Sequence, residues 1–347
     1  MIRVLALAAL VLASALSFGA RAAGDAQAVA AYAGADRQQR LVERAKDERE
    51  LVLYTSLTVD DMSVLNEAFE RKYGIKVKMW RAAADKVLQR VVTEARGARF
   101  DVDVVELSAP ALESLAREQL LAVVRSPNHA DLLPAALPAH RKWVGSRFNV
   151  FALAYNTRLV TKNELPKTYT DLLDPRWKGR LGIESADDDW FAEIVRAMGE
   201  EQGLSFFRKL VSTNGLSVRK GHTLLTNMVA SGEVPLALTV YNFTAEQVKQ
   251  KGAPIEWFVL NPVVARANGV AVALRAPHPH AAMLYYDFMI SDEGQRILIQ
   301  RGFVPASRRV DTPLNRMPLR IVDPALVLDE SARWTRLYDE TIVRPSR

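Results

Sequence analysis

Three consecutive aspartates, Asp187, Asp188 and Asp189, stand in "IESADDDWF" between an apolar run and a tryptophan-phenylalanine pair. Carboxylates collected where a chain turns inward suit a cation or an amine-bearing ligand, and Asp187 and Asp188 are the candidates. A helix opening near Trp190 has use for the same acids, one as its cap and the others against its dipole, by about 0.3–1 kcal/mol each. Thr55 and Ser56 close the apolar run "ELVLYTSL" at a helix start, where hydroxyls and free N–H groups make a polar or anion site. Glu106 and Ser108 end "FDVDVVEL" and the serine after it in the equivalent position; Ser108 can serve as a cap, which leaves the carboxylate for a ligand. Arg147, in "VGSRFNV", has a planar fork that suits carboxylate or phosphate oxygens. Tyr241 and Asn242 follow the apolar "VPLALTVY" and precede Thr244, a possible helix cap. Glu106, the aspartate run and Tyr241 favour a cation, and Arg147, Thr55 and Ser56 an anion. Tyr285 and Tyr286 read as core, His278 and His280 as surface turn residues, and His222 as a polar neighbour of a helix start.

The elements that must position these side chains are legible from periodicity. "ELVLYTSL" reads as a buried strand. Thr58 can cap a helix bearing Met62, Leu65, Phe69 and Tyr73 on one stripe, with Gly74 as its stop. "IKVKMW" alternates as a strand, Val87 to Ala95 marks a helix ending at Gly97, "FDVDVVEL" is a third strand, and residues 109–118 suggest a third helix. Such alternation predicts a mostly parallel sheet with helical crossovers. After a long β-rich run, "WVGSRFNVFALAYNTRLV", helices near 190–199, 204–213 and 223–231 alternate with strands at "VPLALTVY" and "IEWFVL". A proline-rich turn at "PHPH" then leads into one amphipathic helix, and the tail from Thr312 is helical in part.

Composition narrows the function. With 347 residues, 49% apolar and 25% charged, the chain can bury a sizeable core in two lobes. Residues 1–22 read as an export signal, with Arg3, an apolar core and a small-x-small site at Ala20-Arg21-Ala22. Cleavage there removes Arg3 and Arg21 and no acid, so the formal charge falls from +6 to +4. The charges are mixed and unclustered, which speaks against nucleic acid as a partner. Without cysteine, disulfides, zinc thiolate sites, cysteine nucleophiles and a lipid anchor are excluded. The sequence holds no GxxxxGK[ST], HExxH or GxSxG, so nothing positive supports an enzyme.

The segments "LVLYTSLT", "FERKYGIKV", "DVDVVELSAPALESL", "WVGSRFNVFALAYNT", "DLLDPRWKGRLGI", "ASGEVPLALTVYN" and "YYDFMISDEGQRILIQRGFVP", spanning about residues 50–310, together resemble the solute-binding proteins of bacterial ABC importers, in the ferric-iron-type branch. The resemblance implies an α/β fold of the two-lobed, type II periplasmic binding protein kind, with a mixed, mostly parallel sheet in each lobe and a ligand in the cleft. It implies residues 1–22 as signal peptide, 23–44 as lead-in and 45–145 as the first part of the N-lobe. Residues 146–270 then form the C-lobe, and 271–347 return to the N-lobe and end in a helical tail. Iron-binding members use a histidine, a glutamate and an adjacent tyrosine pair, and the matching positions here hold Thr58, Ser108, Asn242 and Phe243. Relatives often place an arginine near a bound anion, the place of Arg147. Glu106, His222 and Tyr241 stand nearby, and Glu106, Asp188 and Tyr241 form the candidate metal set, oxygen donors that suit a hard trivalent cation.

The implied function is the periplasmic solute-binding subunit of an ABC importer. It would trap a ferric or other metal ion, alone or with an anion, and present it to a permease in the inner membrane. Fe(III) would be cargo and not a cofactor, and a monomer is expected. The alternatives are an organic anion or amine-bearing metabolite in the same fold, for import or for sensing by a membrane receptor, with a hydrolase last.

Overall fold

In the computed structural model, residues 26–345 are described. The export signal read in residues 1–22 and the opening of the lead-in lie outside them. The chain divides into two compact units. Unit 1 holds the chain up to Ser146, Asn268–Ile297 and Ala306–Val310, and unit 2 holds Arg147–Ala267, Leu298–Pro305 and the residues from Asp311 onward.

The first part of unit 1 runs α1 (residues 26–31), α2 (Arg37–Glu48), β1 (Glu50–Thr55), α3 (Val59–Tyr73), β2 (Lys76–Arg81), α4 (Ala84–Arg96), β3 (Val104–Ser108) and α5 (Ala109–Arg117). After β4 (Val144–Asn156), unit 2 continues through β5 (Leu181–Glu184), α6 (Asp188–Met198), α7 (Glu200–Asn214), β6 (Ser217–Arg219), α8 (His222–Ser231), β7 (Leu236–Tyr241), α9 (Asn242–Gln250) and β8 (Ile255–Phe258). The chain then passes through β9 (Val263–Val272), α10 (Pro279–Met289), α11 (Asp292–Gln300), β10 (Val304–Pro305), β11 (Leu319–Ile321) and α12 (Pro324–Tyr338).

In unit 1, β1 is flanked by β2 and β3, both parallel to it, and β3 pairs antiparallel with the second half of β9, Ser108 facing Asn268. Thr58 caps α3 as the sequence predicts, its side-chain oxygen accepting from Asp61 N–H. Gly74 ends that helix at φ 72°, a left-handed conformation that glycine adopts without a Cβ penalty. In unit 2, β7 lies antiparallel to β4 and parallel to β5, and β6 extends β5. All 13 residues of β4 are buried, so it reads as a continuous apolar-rich run rather than as an alternation.

Three expectations are corrected. The lead-in, expected to be loose, is helical over residues 26–31 and in α2, which buries Arg37, Leu41 and Ala45 on one stripe. The single helix expected after "PHPH" is two: Ser291 donates to Phe288 O (2.7 Å) and accepts from Gly294 N–H (3.3 Å). A Cβ at Gly294 would stand 2.2 Å from Phe288 O, so this corner needs glycine. The tail, expected with the N-lobe region, belongs from Asp311 onward to unit 2. There Trp334 and Tyr338 of α12 are buried against Phe191 of α6, with ring centroids 6.1 and 5.4 Å away.

Candidate functional site

In unit 2, β5 ends in Glu184, whose carboxylate accepts from Gly221 N–H (2.8 Å) and from Ala186 N–H. That closes the turn into α6 and fixes where each of the three aspartates points. Asp187 occupies the N-cap position, yet its side chain makes no capping bond. It is fully buried, and His222 Nε2 stands 3.1 Å from its carboxylate. Asp188 turns the other way and accepts from Thr335 of α12 (2.5 Å). Asp189, the third of the run among which the sequence left the choice open, reaches the centre. Its Oδ2 lies 2.8 Å from Arg266 Nη1, and its Oδ1 accepts from Trp190 N–H (2.7 Å).

Arg266 comes from the first half of β9, and its Nη2 donates to the Tyr241 hydroxyl oxygen. The guanidinium carbon is 5.4 Å from the Phe151 ring centroid and 5.7 Å from that of Tyr241, while Nε is buried with no hydrogen-bond partner. Tyr241 ends β7, and the His222 ring stacks on it at 3.9 Å and 15°. Thr244 donates to Tyr241 O (2.7 Å) and Thr226 to His222 O (2.8 Å), and the two hydroxyls meet at 3.1 Å, which ties α8 to α9. The chain Asp187, His222, Tyr241, Arg266, Asp189 therefore alternates acid and base around one phenol.

Burial pushes the Asp189 carboxyl above its ordinary value; Arg266 opposes the rise and the neighbouring aspartates add to it. Burial is the largest single influence on the Arg266 guanidinium and works to lower it, but Asp189, Asp187 and Asp188 together outweigh it, so the group is held above its ordinary value. The carboxylate half of this pair is buried and the Arg266 side chain is 19% exposed; removing the guanidinium leaves a buried carboxylate unpaired.

The remaining candidates divide. In unit 1, Thr55 Oγ1 donates to the buried Glu106 carboxylate at 2.5 Å, and Leu57 N–H points to both (3.0 Å to Thr55 Oγ1, 3.3 Å to Glu106 Oε2). Ser56 N–H donates to Glu106 O (3.1 Å). The structure thus brings Thr55, Ser56 and Glu106 together as the turn that follows β1. Ser108 stands at the N-cap of α5 and makes no capping bond with its side chain. In unit 2, Asn242 uses its amide structurally: Oδ1 accepts from Val150 N–H (3.3 Å) and Nδ2 donates to Gly302 O (3.2 Å). Arg147 is buried, with its guanidinium 5.0 Å from the Phe303 ring centroid.

The metal set of Glu106, Asp188 and Tyr241 loses Asp188, whose carboxylate is turned to α12. Among the described residues, no three of His, Asp and Glu converge as a metal site. Arg266 and His222 are the residues that the sequence reading missed or passed over. An arginine among the alanines and valines that open β9 was the available signal for the first.

The model of the bacterial extracellular solute-binding protein family matches residues 102–329, and the chain belongs to that family. It is 28% identical to iron uptake protein A1 of Synechocystis over 74% of this chain and 75% of that protein. It is 25% identical to the major ferric iron-binding protein of Neisseria meningitidis over 84% of this chain and 92% of that one. The crystal structure of iron-bound HitA from Pseudomonas aeruginosa superposes with a TM-score of 0.73 at 26% identity, covering 84% of this chain and 99% of that one. The fold is that of the type II periplasmic binding proteins.

Proposed function

We propose that this protein is the periplasmic capture subunit of an ABC importer, that it hands its cargo to an inner-membrane permease as a monomer, and that it performs no turnover. The cargo we assign is ferric iron accompanied by a small anion. The observation that carries the assignment is the Tyr241 phenol set against the Arg266 fork. A phenolate is a hard oxygen donor for a hard trivalent ion, and a guanidinium grips carboxylate or phosphate oxygens. With no trio of His, Asp and Glu to hold a metal among the described residues, the accompanying anion would supply part of the coordination. The names of the relatives support iron, and the export signal read in residues 1–22 supports the compartment. No helix among the described residues is long and apolar enough to cross a membrane.

Iron bound through Tyr241 should give a visible charge-transfer band when ferric citrate is added. Tyr241→Phe should lose that band while still unfolding in a single cooperative transition. A band that survives the substitution would remove Tyr241 from the site.

A second reading, an organic phosphate or carboxylate bound alone, is favoured by the buried Arg266 Nε that lacks a partner. It calls for stabilisation by the metal-free anion equal to that by its ferric complex.

A further inference from the structure

Unit 1 contains a separate cavity of about 330 Å³, walled by the C-terminal turns of α4 and α5 and by the chain leaving β9. Its lining combines apolar Val91, Val102 and Leu120 with Phe100, Gln119 and Arg275. That volume falls at the lower end of small-molecule sites, roughly 300–1,000 Å³, which pair apolar walls with a few placed polar groups.

Both helices end here in a left-handed residue that is not glycine: Ala98 at φ 54° and Gln119 at φ 58°. Each is followed by the closing bond of a Schellman turn, from Arg99 N–H to Glu94 O (2.8 Å) and from Leu120 N–H to Leu115 O (3.1 Å). An L-residue held in that conformation is disfavoured against glycine, and each supplies the wall with a side chain that glycine lacks. Gln119 Oε1 accepts from Lys142 (2.9 Å), which leaves its amide nitrogen as a donor.

Arg275 has the most telling position. Its guanidinium carbon lies 4.5 Å from the Phe100 ring centroid, and the side chain makes no hydrogen bond or ion pair among the described residues. A guanidinium stacked on a ring keeps its N–H edge directed sideways, the geometry in which it takes a carboxylate with two parallel bonds. Glu94, the one acid of the lining, is already committed to Arg90 (2.7 Å) and to the Tyr54 hydroxyl (3.1 Å), so it does not neutralise Arg275.

We propose that this cavity binds a small organic carboxylate with a flat or linear apolar body. The body lies along Val91, Val102 and Leu120, and the carboxylate is held by Arg275. The site is independent of the Tyr241 cluster, which belongs to unit 2.

The test is calorimetric titration of the purified protein with naphthalene-2-carboxylate and with 2-naphthalenemethanol, its uncharged counterpart. The expected result is saturable binding of the acid, at least tenfold tighter than the alcohol, about 1.4 kcal/mol. Arg275→Gln should reduce the acid to the level of the alcohol, and Arg275→Lys should restore part of the difference. The absence of saturable binding, or equal affinity for acid and alcohol, overturns the proposal without recourse to any variant. An Arg275→Gln protein that melts like the wild type and binds the acid unchanged overturns it as well.

Discussion

Arg266→Ala should destabilise the protein by up to about 3–5 kcal/mol at neutral pH, because it leaves the buried Asp189 carboxylate without its charged partner. The Asp189 side chain is 2% exposed, so solvent screening offers little relief. The loss should depend on pH, and its sign follows from the direction of the shift. Burial already raises the Asp189 carboxyl, and the guanidinium is the leading influence that holds it down. Without Arg266 the folded-state value rises further above the unfolded one, so the folded protein binds its proton more firmly. The stability tied to this group is then fully present below the ordinary carboxyl value and is lost as pH rises through the raised folded value. Acidification from pH 7.5 to 5 should therefore narrow the gap between variant and wild type in urea denaturation midpoints. A gap independent of pH, or smaller than about 1 kcal/mol throughout, contradicts the pairing.

Trp190→Ala should cost about 3–5 kcal/mol, the range for removing a large aromatic from a packed interior. Trp190 is 1% exposed, edge-on to Phe207 at 5.7 Å and 6.2 Å from the Tyr169 ring. It follows Asp189 in the first turn of α6, so a cavity there loosens the segment that aims both buried aspartates. The substitution should weaken cargo binding as well as stability, whereas Trp190→Phe, which refills much of the space, should recover most of both. Calorimetric unfolding alongside cargo titration checks this, and a Trp190→Ala protein with wild-type cargo affinity would separate α6 packing from the site.

The first strand, helix, strand alternation was legible because Thr58, the Met62 to Tyr73 stripe and Gly74 are local signals, and the local geometry honours each. The second half of the chain was less so. β9 escaped because Arg266, Asn268 and Gly269 interrupt its apolar run. The glycine there answers a close approach that sequence does not display, since a Cβ would stand 2.1 Å from Val144 O. The tail was misassigned because the i, i+4 pair Trp334 and Tyr338 announces a buried face without naming its partner, α6.

Among the site residues, the aspartate run and Tyr241 were visible by type and position, but the choice of aspartate was not. It is set by the turn that Glu184 closes through Gly221, a residue 37 positions away. Thr55 and Glu106 were rightly paired as strand ends, and the hydroxyl-to-carboxylate bond that joins them is a tertiary contact. His222 looked like an ordinary neighbour of a helix start. Its stacking on Tyr241 depends on β7 and α8 being side by side, which periodicity does not reveal.

The measurement that bears most directly on solute capture is the unfolding transition of the purified protein with ferric citrate, with citrate alone and with phosphate esters. Cargo present at 100 times its dissociation constant should stabilise by about 2.7 kcal/mol. The account predicts that ferric citrate produces that shift and that metal-free citrate does not. A transition unmoved by every one of these additions, in protein shown to be free of bound solute, would contradict it.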